Sequence, residues 1–243
     1  MTLLAIDAGN SRIKWAFHDG SSWTQRGVVE TANAGGLAEA VAALSAPGRI
    51  LVANVAGDAV QSAIAESVRG FATQPQWIVS RAEQCGVRSS YADPAQLGPD
   101  RWSALVGARH LYEGPCTVVN AGTTTTVDAL SADGIFLGGF IVAGYRLMGH
   151  ALSQNTARLK LQEGRVSFFP DNTGDAIASG AANAIAGAIE RMARFMADTG
   201  GVEPAIVLSG GDAEIIVPLL SGRVEVVDNL VLEGLLRIGA SGV

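Results

Sequence analysis

The chain has 243 residues, 48% hydrophobic and 16% charged, a globular composition that excludes a largely disordered or fibrous protein. Its 17 basic and 23 acidic residues give a formal net charge of −6, and the cations are scattered rather than striped, which argues against a nucleic-acid partner. At this length roughly 70 to 75% of the unfolded surface is buried on folding, so one large domain or two small ones need no disulfide or structural metal.

Residues 3–6 predict a strand ending at Asp7-Ala8-Gly9-Asn10, and 13–17 a second strand turned by His18-Asp19-Gly20. Leu37, Val41 and Leu44 stand at helical spacing within 36–46; Pro47-Gly48 stops that helix, and 50–55 reads as a buried strand. Gly57-Asp58 opens a helix to about Arg69, 77–79 is a short strand, 89–99 is irregular, and 100–112 is helical. From Cys116 the pattern restarts: a strand over 116–119, a turn at Asn120-Ala121-Gly122-Thr123, a strand over 124–130, and a turn at Ala132-Asp133-Gly134. Helices follow over 175–198 and 229–238, the latter carrying an apolar stripe of Leu230, Val231, Leu232, Leu235 and Leu236 that reads as core.

At an offset of 113 residues, Asp7-Ala8-Gly9 overlays Asn120-Ala121-Gly122. A second pair keeps the same order: the strands before Gly57-Asp58-Ala59 and Gly211-Asp212-Ala213 both break into Gly-Asp-Ala and then a helix. The expectation is a duplicated α/β domain, 1–114 and 115–243, with the boundary near Gly114-Pro115. The most apolar stretch, 137–145, is too short to span a bilayer, no basic leader precedes Asp7, and Cys85 and Cys116 lack metal or redox spacing. A cytoplasmic protein with no membrane partner is expected.

Three constellations carry chemistry. Asp7-Ala8-Gly9-Asn10-Ser11-Arg12-Ile13-Lys14 offers a glycine turn to phosphate oxygens, a hydroxyl donor in Ser11 and a cation in Lys14, with Asp7 placed to hold Mg²⁺ directly or through water. An ordinary hairpin whose Asp caps its own turn fits that octapeptide equally, and the spacing is neither a P-loop nor a Rossmann fingerprint. In Asn120–Thr126, Thr123 lies at the turn within reach of a phosphate, while Thr124 and Thr126 read as strand formers. In Leu97-Gly98-Pro99-Asp100-Arg101-Trp102, Asp100 reads either as a helix N-cap or as a base that takes a proton from a substrate hydroxyl, with Arg101 gripping a substrate carboxylate and Tyr91 completing the pocket. His18, His110 and His150 show no metal-ligand spacing.

Together with Gly138-Gly139-Phe140-Ile141, Asn172-Thr173-Gly174-Asp175-Ala176-Ile177 and Gly210-Gly211-Asp212-Ala213, these motifs resemble the type III pantothenate kinases. That family sits in the acetate and sugar kinase, Hsp70 and actin superfamily. The resemblance implies two duplicated ribonuclease-H-like (actin-like ATPase) domains with an inter-domain nucleotide cleft. It implies a homodimer that uses ATP and Mg²⁺ to phosphorylate pantothenate to 4'-phosphopantothenate, the first step of coenzyme A biosynthesis. Position by position, Asp7 to Lys14 and Thr123 match ATP contacts and Asp100 the general base. Tyr91, Gly98, Pro99, Asp100 and Arg101 match the pantothenate pocket, and Thr173 a pantothenate contact supplied by the partner subunit. Family members commonly carry Asp where this chain has Asn120, a residue implied to bind a monovalent cation, K⁺ or NH₄⁺, so potassium dependence is expected to weaken here. The alternatives are a non-enzymatic ligand-binding or regulatory protein on the same fold, or a kinase for another small hydroxy compound.

Overall fold

In a computed structural model that describes residues 1–156, 159 and 163–241, the chain separates into two compact units, Met1–Leu111 with Leu230–Val243, and Tyr112–Asn229. The first unit opens with β1 (Leu3–Ala8), β2 (Arg12–His18) and β3 (Trp23–Glu30), followed by a 3₁₀ turn and the short α1 (Leu37–Val41). Next come β4 (Arg49–Asn54), α2 (Asp58–Ser67), β5 (Pro75–Trp77), a small hairpin of β6 (Glu83–Gln84) and β7 (Val87–Ser89), and α3 (Pro99–Leu111). The second unit runs β8 (Cys116–Ala121), β9 (Thr124–Leu130), β10 (Ile135–Ala143), α4 (Tyr145–Asn155), α5 (Thr173–Gly200), β11 (Ala205–Ser209), α6 (Ala213–Ile216) and β12 (Val224–Val226). The last helix, α7 (Leu230–Ala240), belongs to the first unit.

The two sheets share one topology. In the first unit the strand order is β3-β2-β1-β4-β5, with β1 antiparallel to β2 and parallel to β4. The second unit orders its strands β10-β9-β8-β11-β12, with β8 antiparallel to β9 and parallel to β11. In each, the parallel strand is reached through a helical crossover and the antiparallel one through a tight turn, as strand direction requires.

Each sheet buries alternate residues against its own helices. Leu4, Ile6 and Ala8 of β1 join Ile13, Trp15, Leu37, Val41, Val52 and Ile64 in one core beneath α1 and α2. By the two-residue period of a strand, Leu3, Ala5 and Asp7 face the other way, toward the side where α7 packs on β1. In the second unit Val119, Ala121, Val127 and Ala129 meet Ala182, Ile185, Ile189 and Met192 of the long α5.

Three expectations are corrected. The boundary that gave 115–243 to one domain fails at its C-terminal end because α7 buries Leu230, Val231, Leu232 and Leu235 within the first unit and pairs with α3. That pairing requires Gly234: a Cβ there would fall 1.7 Å from the Ser103 carbonyl oxygen. The helix expected over 36–46 is only α1, because Pro47 disfavours helical backbone at Ala46 and the chain turns after Val41. The strand expected over 77–79 lies at Pro75–Trp77, where it pairs in parallel with Ile50–Val52. The edge strand β3 escapes a hydrophobic pattern because Thr24, Gln25 and Arg26 are all exposed. Among the described residues no helix is long and apolar enough to cross a membrane.

Candidate active site

The turn between β1 and β2 closes through the Gly9 amide, which donates to the Arg12 carbonyl at 3.1 Å. Thr31 braces it twice, its amide donating to the Ser11 carbonyl at 3.0 Å and its hydroxyl to the Gly9 carbonyl at 2.7 Å. Ala8 and Ile13 are buried in the core, so they can offer a ligand only backbone, whereas Asn10, Ser11 and Arg12 are exposed at the tip. Asp7 pairs with Lys14 across the two strands, which puts both side chains on the same face of the sheet. Asp7 is only 8% exposed. Among the described residues no three His, Cys, Asp or Glu side chains gather as a metal cage. A single carboxylate at a strand end suits Mg²⁺, which keeps its waters and takes further oxygens from phosphates.

A chain of contacts leads from this turn to Asp100. The Val55 amide, just past β4, donates to the Ala8 carbonyl at 3.0 Å. Gly98 lies against Val55: a Cβ on Gly98 would stand 3.9 Å from Val55 Cγ1 and only 2.6 Å from Asp100 Oδ1, so the glycine leaves the carboxylate its room. The preceding residue is fixed by the buried Ser80 hydroxyl, which donates to the Leu97 carbonyl at 2.7 Å. Asp7 faces the side of the sheet where α7 packs, and Asp100 opens α3, the helix paired with α7. The first unit thus brings Asp7–Lys14 and Gly98–Arg101 to one edge.

Asp100 is not an N-cap. Helix α3 begins at Pro99 and the Trp102 amide donates to the Gly98 carbonyl at 2.9 Å, which leaves Asp100 in the first turn with Oδ1 accepting from the Arg101 amide at 2.8 Å. Burial raises its carboxyl above the usual carboxylate range, outweighing the Arg101 amide and guanidinium that oppose the shift. A fixed carboxylate with heightened basicity is what a proton acceptor requires. Arg101 is 7% exposed, so its charge is held rather than solvated. Tyr91 is half-buried in the irregular segment before α3, its amide donating to Ser89 Oγ at 3.2 Å.

In the second unit the Gly122 amide donates to the Thr124 carbonyl at 3.1 Å, a glycine-closed turn one residue tighter than that at Gly9, where the acceptor is three residues on. This turn is enclosed by backbone. The Gly144 amide donates to the Thr123 carbonyl at 3.0 Å, and a Cβ on Gly144 would fall 1.9 Å from the Gly122 carbonyl oxygen. Gly210, at φ +110°, presses against Ala121, whose carbonyl accepts from the Asp212 amide at 3.1 Å. Asn120 is half-buried and pairs with Thr126 on one side and Ser209 on the other; Thr123 is exposed.

Sequence reasoning missed what these junctions deliver to the turn. Asp212 is buried, and Arg146, in the first turn of α4, places Nε 3.9 Å from Asp212 Oδ1. Tyr145 is raised in pKa by burial first and by the Asp212 charge second. The repeated Gly-Asp-Ala pattern pointed at Asp212, whereas Arg146 lies in no motif and only the fold reveals it. Thr173 opens α5, exposed, beside the cap Asn172, whose side chain accepts from the Asp175 amide at 2.9 Å. Bonds from the Arg165 amide and the Asn172 side chain lower the Asp175 pKa. Thr173 borders a cavity of about 620 Å³ together with Met148, Leu152, Ile177 and Gly180.

The sequence profile described as type III pantothenate kinase matches residues 3–194. A type III pantothenate kinase from Aromatoleum aromaticum is 51% identical over 233 residues, 96% of this chain and 96% of that protein. Among solved structures, a Baf-family protein from Campylobacter jejuni aligns over 98% of both chains with a TM-score of 0.61 at 20% identity. The activator of the 2-hydroxyisocaproyl-CoA dehydratase from Clostridium difficile, solved with bound ADPNP, covers 98% of this chain and 92% of its own with a TM-score of 0.52 at 12% identity. These two likenesses show the fold alone, the duplicated actin-like ATPase architecture already read in the two sheets. A profile spanning most of the chain, and a relative half identical along nearly its whole length, place the chain in the type III pantothenate kinase family.

Proposed function

We propose that this family member transfers the γ-phosphoryl group of ATP to the primary hydroxyl of pantothenate, and that Asp100 accepts the hydroxyl proton. The observation that carries the assignment is Asp100 itself: a carboxyl of raised basicity, fixed on the first turn of α3 and connected through Gly98 and Val55 to the glycine turn after Asp7. Arg101 holds the pantothenate carboxylate, with Tyr91, Gly98 and Pro99 shaping the pocket. Within the Asp7–Lys14 segment the exposed tip at Asn10 to Arg12, the Ser11 hydroxyl and Lys14 serve the nucleotide phosphates, and Thr123 is the phosphate contact of the second turn. Asp7 would hold Mg²⁺, whose chemistry is to neutralise the phosphate charge. Phosphoryl transfer asks the protein for little beyond positioning and charge, and these residues supply both.

A retired active site is free to lose its base, and Asp100 is retained, which favours an enzyme over a binding protein on the same fold. Purified protein with pantothenate, ATP and Mg²⁺ in a coupled ADP assay tests the reading; turnover with pantothenate is expected, and nucleotide binding without turnover would overturn it.

The partner subunit's copy of Thr173 completes the pantothenate pocket in this proposal. Thr173 is exposed at the head of α5, and exposed small residues follow it on that helix at Ala176, Gly180, Ala184 and Gly187, which lets a second helix approach closely. Sedimentation should give about 50 kDa, twice the chain's 25.0 kDa, and an active monomer would overturn the shared site.

A further inference from the structure

The two turns occupy equivalent places between antiparallel strands but differ in charge. The turn after Asp7 carries Arg12 and Lys14 within its own sequence, whereas Asn120–Thr126 has no cation at all. A polyphosphate held at the second turn brings negative charge to a place where backbone amides alone would have to meet it, beside the buried carboxylate of Asp212. That carboxylate repels phosphate unless something offsets it.

The fold supplies the offset. Gly144 packs on Gly122 and bonds to Thr123, so the chain leaving β10 enters α4 directly at the turn, and Arg146 follows two residues later. Gly210 packs on Ala121, and Asp212 follows two residues after that contact, its amide bonded to the Ala121 carbonyl. Two separate junctions thus deliver a cation and an anion to the same three backbone residues, and the two side chains meet with Arg146 Nε 3.9 Å from Asp212 Oδ1. The partners are unequal: the Asp212 side chain is 8% exposed and the Arg146 side chain 75%. An exposed ion pair contributes little to stability, so the pairing is poorly explained as a device for holding the fold. Its geometry suits another purpose. The buried carboxylate lies nearest Nε, on the stem side of the guanidinium, and the Arg146 side chain is three-quarters exposed, which leaves the planar fork accessible to a ligand.

We propose that Arg146 is a phosphate-binding residue of the second turn, contacting the polyphosphate of the nucleotide, and that Asp212 is a positioning residue that orients it. This rests on the reading of the chain as an ATP-dependent kinase and deepens it, because it gives the second turn the cation that its own sequence lacks. The Tyr145 phenol lies near enough to both members of the pair to feel their charges.

The test uses the full chain and two probes, inorganic tripolyphosphate and ATP with Mg²⁺, titrated calorimetrically. Arg146→Ala should weaken both probes by about tenfold or more, the loss expected for one charge-assisted contact, while the melting temperature and the KM for pantothenate stay unchanged. Arg146→Lys should retain part of the affinity, because charge is kept and the fork is lost. Asp212→Asn alone should weaken both probes by less than Arg146→Ala does, because the cation stays and only its orientation is loosened. Unchanged affinity for both probes in Arg146→Ala would overturn the proposal. Tripolyphosphate binding is read without pantothenate turnover, so failure of the substrate assignment is separately visible: it would appear as wild-type polyphosphate affinity with no turnover.

Discussion

The turns after Asp7 and Asn120 each join two antiparallel strands and are each closed by a glycine amide, Gly9 donating to Arg12 and Gly122, one residue tighter, to Thr124, both at 3.1 Å. They differ in what surrounds them. The first turn is exposed at its tip, is braced by the side chain of Thr31, and carries its own carboxylate and cations. The second is enclosed by the backbones of Gly144 and Gly210 and takes its charged groups from helices that begin beside it. Duplication keeps the strand, glycine turn and strand, because an antiparallel neighbour can be reached through a tight turn. The charges are free to diverge, and the carboxylate of raised basicity belongs to the first copy, where α3 carries Asp100.

The sharpest way to break this asymmetry is at Asp100. Asp100→Asn keeps the size of the side chain and an oxygen to accept from the Arg101 amide, but it cannot take a proton, so turnover should fall by roughly 10² to 10⁴ with nucleotide affinity retained. Stability should move the other way. Burial raises this carboxyl's folded pKa, so the folded state favours the protonated form. Whatever stability the group contributes is present below the ordinary carboxylate range and lost as pH rises through the raised value. At pH 8 Asp100→Asn should therefore melt no lower than wild type, and its advantage should shrink as pH falls toward 4. Near-normal turnover would remove Asp100 from the mechanism.

Much of this was legible in the sequence, for identifiable reasons. The strands of both cores announce themselves as apolar runs ending in Gly turns, and the offset between Asp7 and Asn120 exposes the duplication because turn chemistry tolerates few residues. The return of α7 to the first unit was not legible. Its stripe of Leu230, Val231, Leu232 and Leu235 says that the helix is buried but not against what, and the deciding contact is a glycine whose neighbour is more than a hundred residues away in sequence. Asp100 was legible as a chemical group and misleading as a local one: an Asp just after Gly-Pro reads as a cap, yet Pro99 takes the first helical position, where its missing N–H costs nothing. Arg146 left no trace, since an arginine in the first turn of a helix signals nothing until Gly144 is seen against Gly122.

A second comparison tests whether the enclosure of the second turn is real. Gly144→Ala must push a methyl into the Gly122 and Thr123 carbonyls, at 1.9 and 2.6 Å, and backbone cannot swing aside as a side chain can. The cost should be at least about 3 kcal/mol, seen as a lower denaturant midpoint. Gly9→Ala meets only the Arg12 carbonyl oxygen at 3.4 Å, so it should cost within about 1 kcal/mol. Equal costs at the two positions would mean that the turns are packed alike.

The smallest effect concerns the one position where the two turns differ by an isosteric charge. Asp7 and Asn120 occupy equivalent places at the ends of β1 and β8, and only the first is a carboxylate. A monovalent cation near the second turn would find at Asn120 an amide oxygen in place of a charged carboxylate, and at a few ångströms a unit charge is the larger part of the attraction. Activity in sodium-only buffer should therefore stay close to that in potassium or ammonium. Asn120→Asp should restore a preference for potassium of a few-fold, about the worth of one partly solvated charge. The same variant should gain melting temperature on adding potassium while the parent does not, because a cation bound only to the folded state stabilises it by mass action. Strict potassium dependence of the unmodified chain would show that the site is charged by other groups, and that the asymmetry between the two turns ends at Asn120 rather than passing through it.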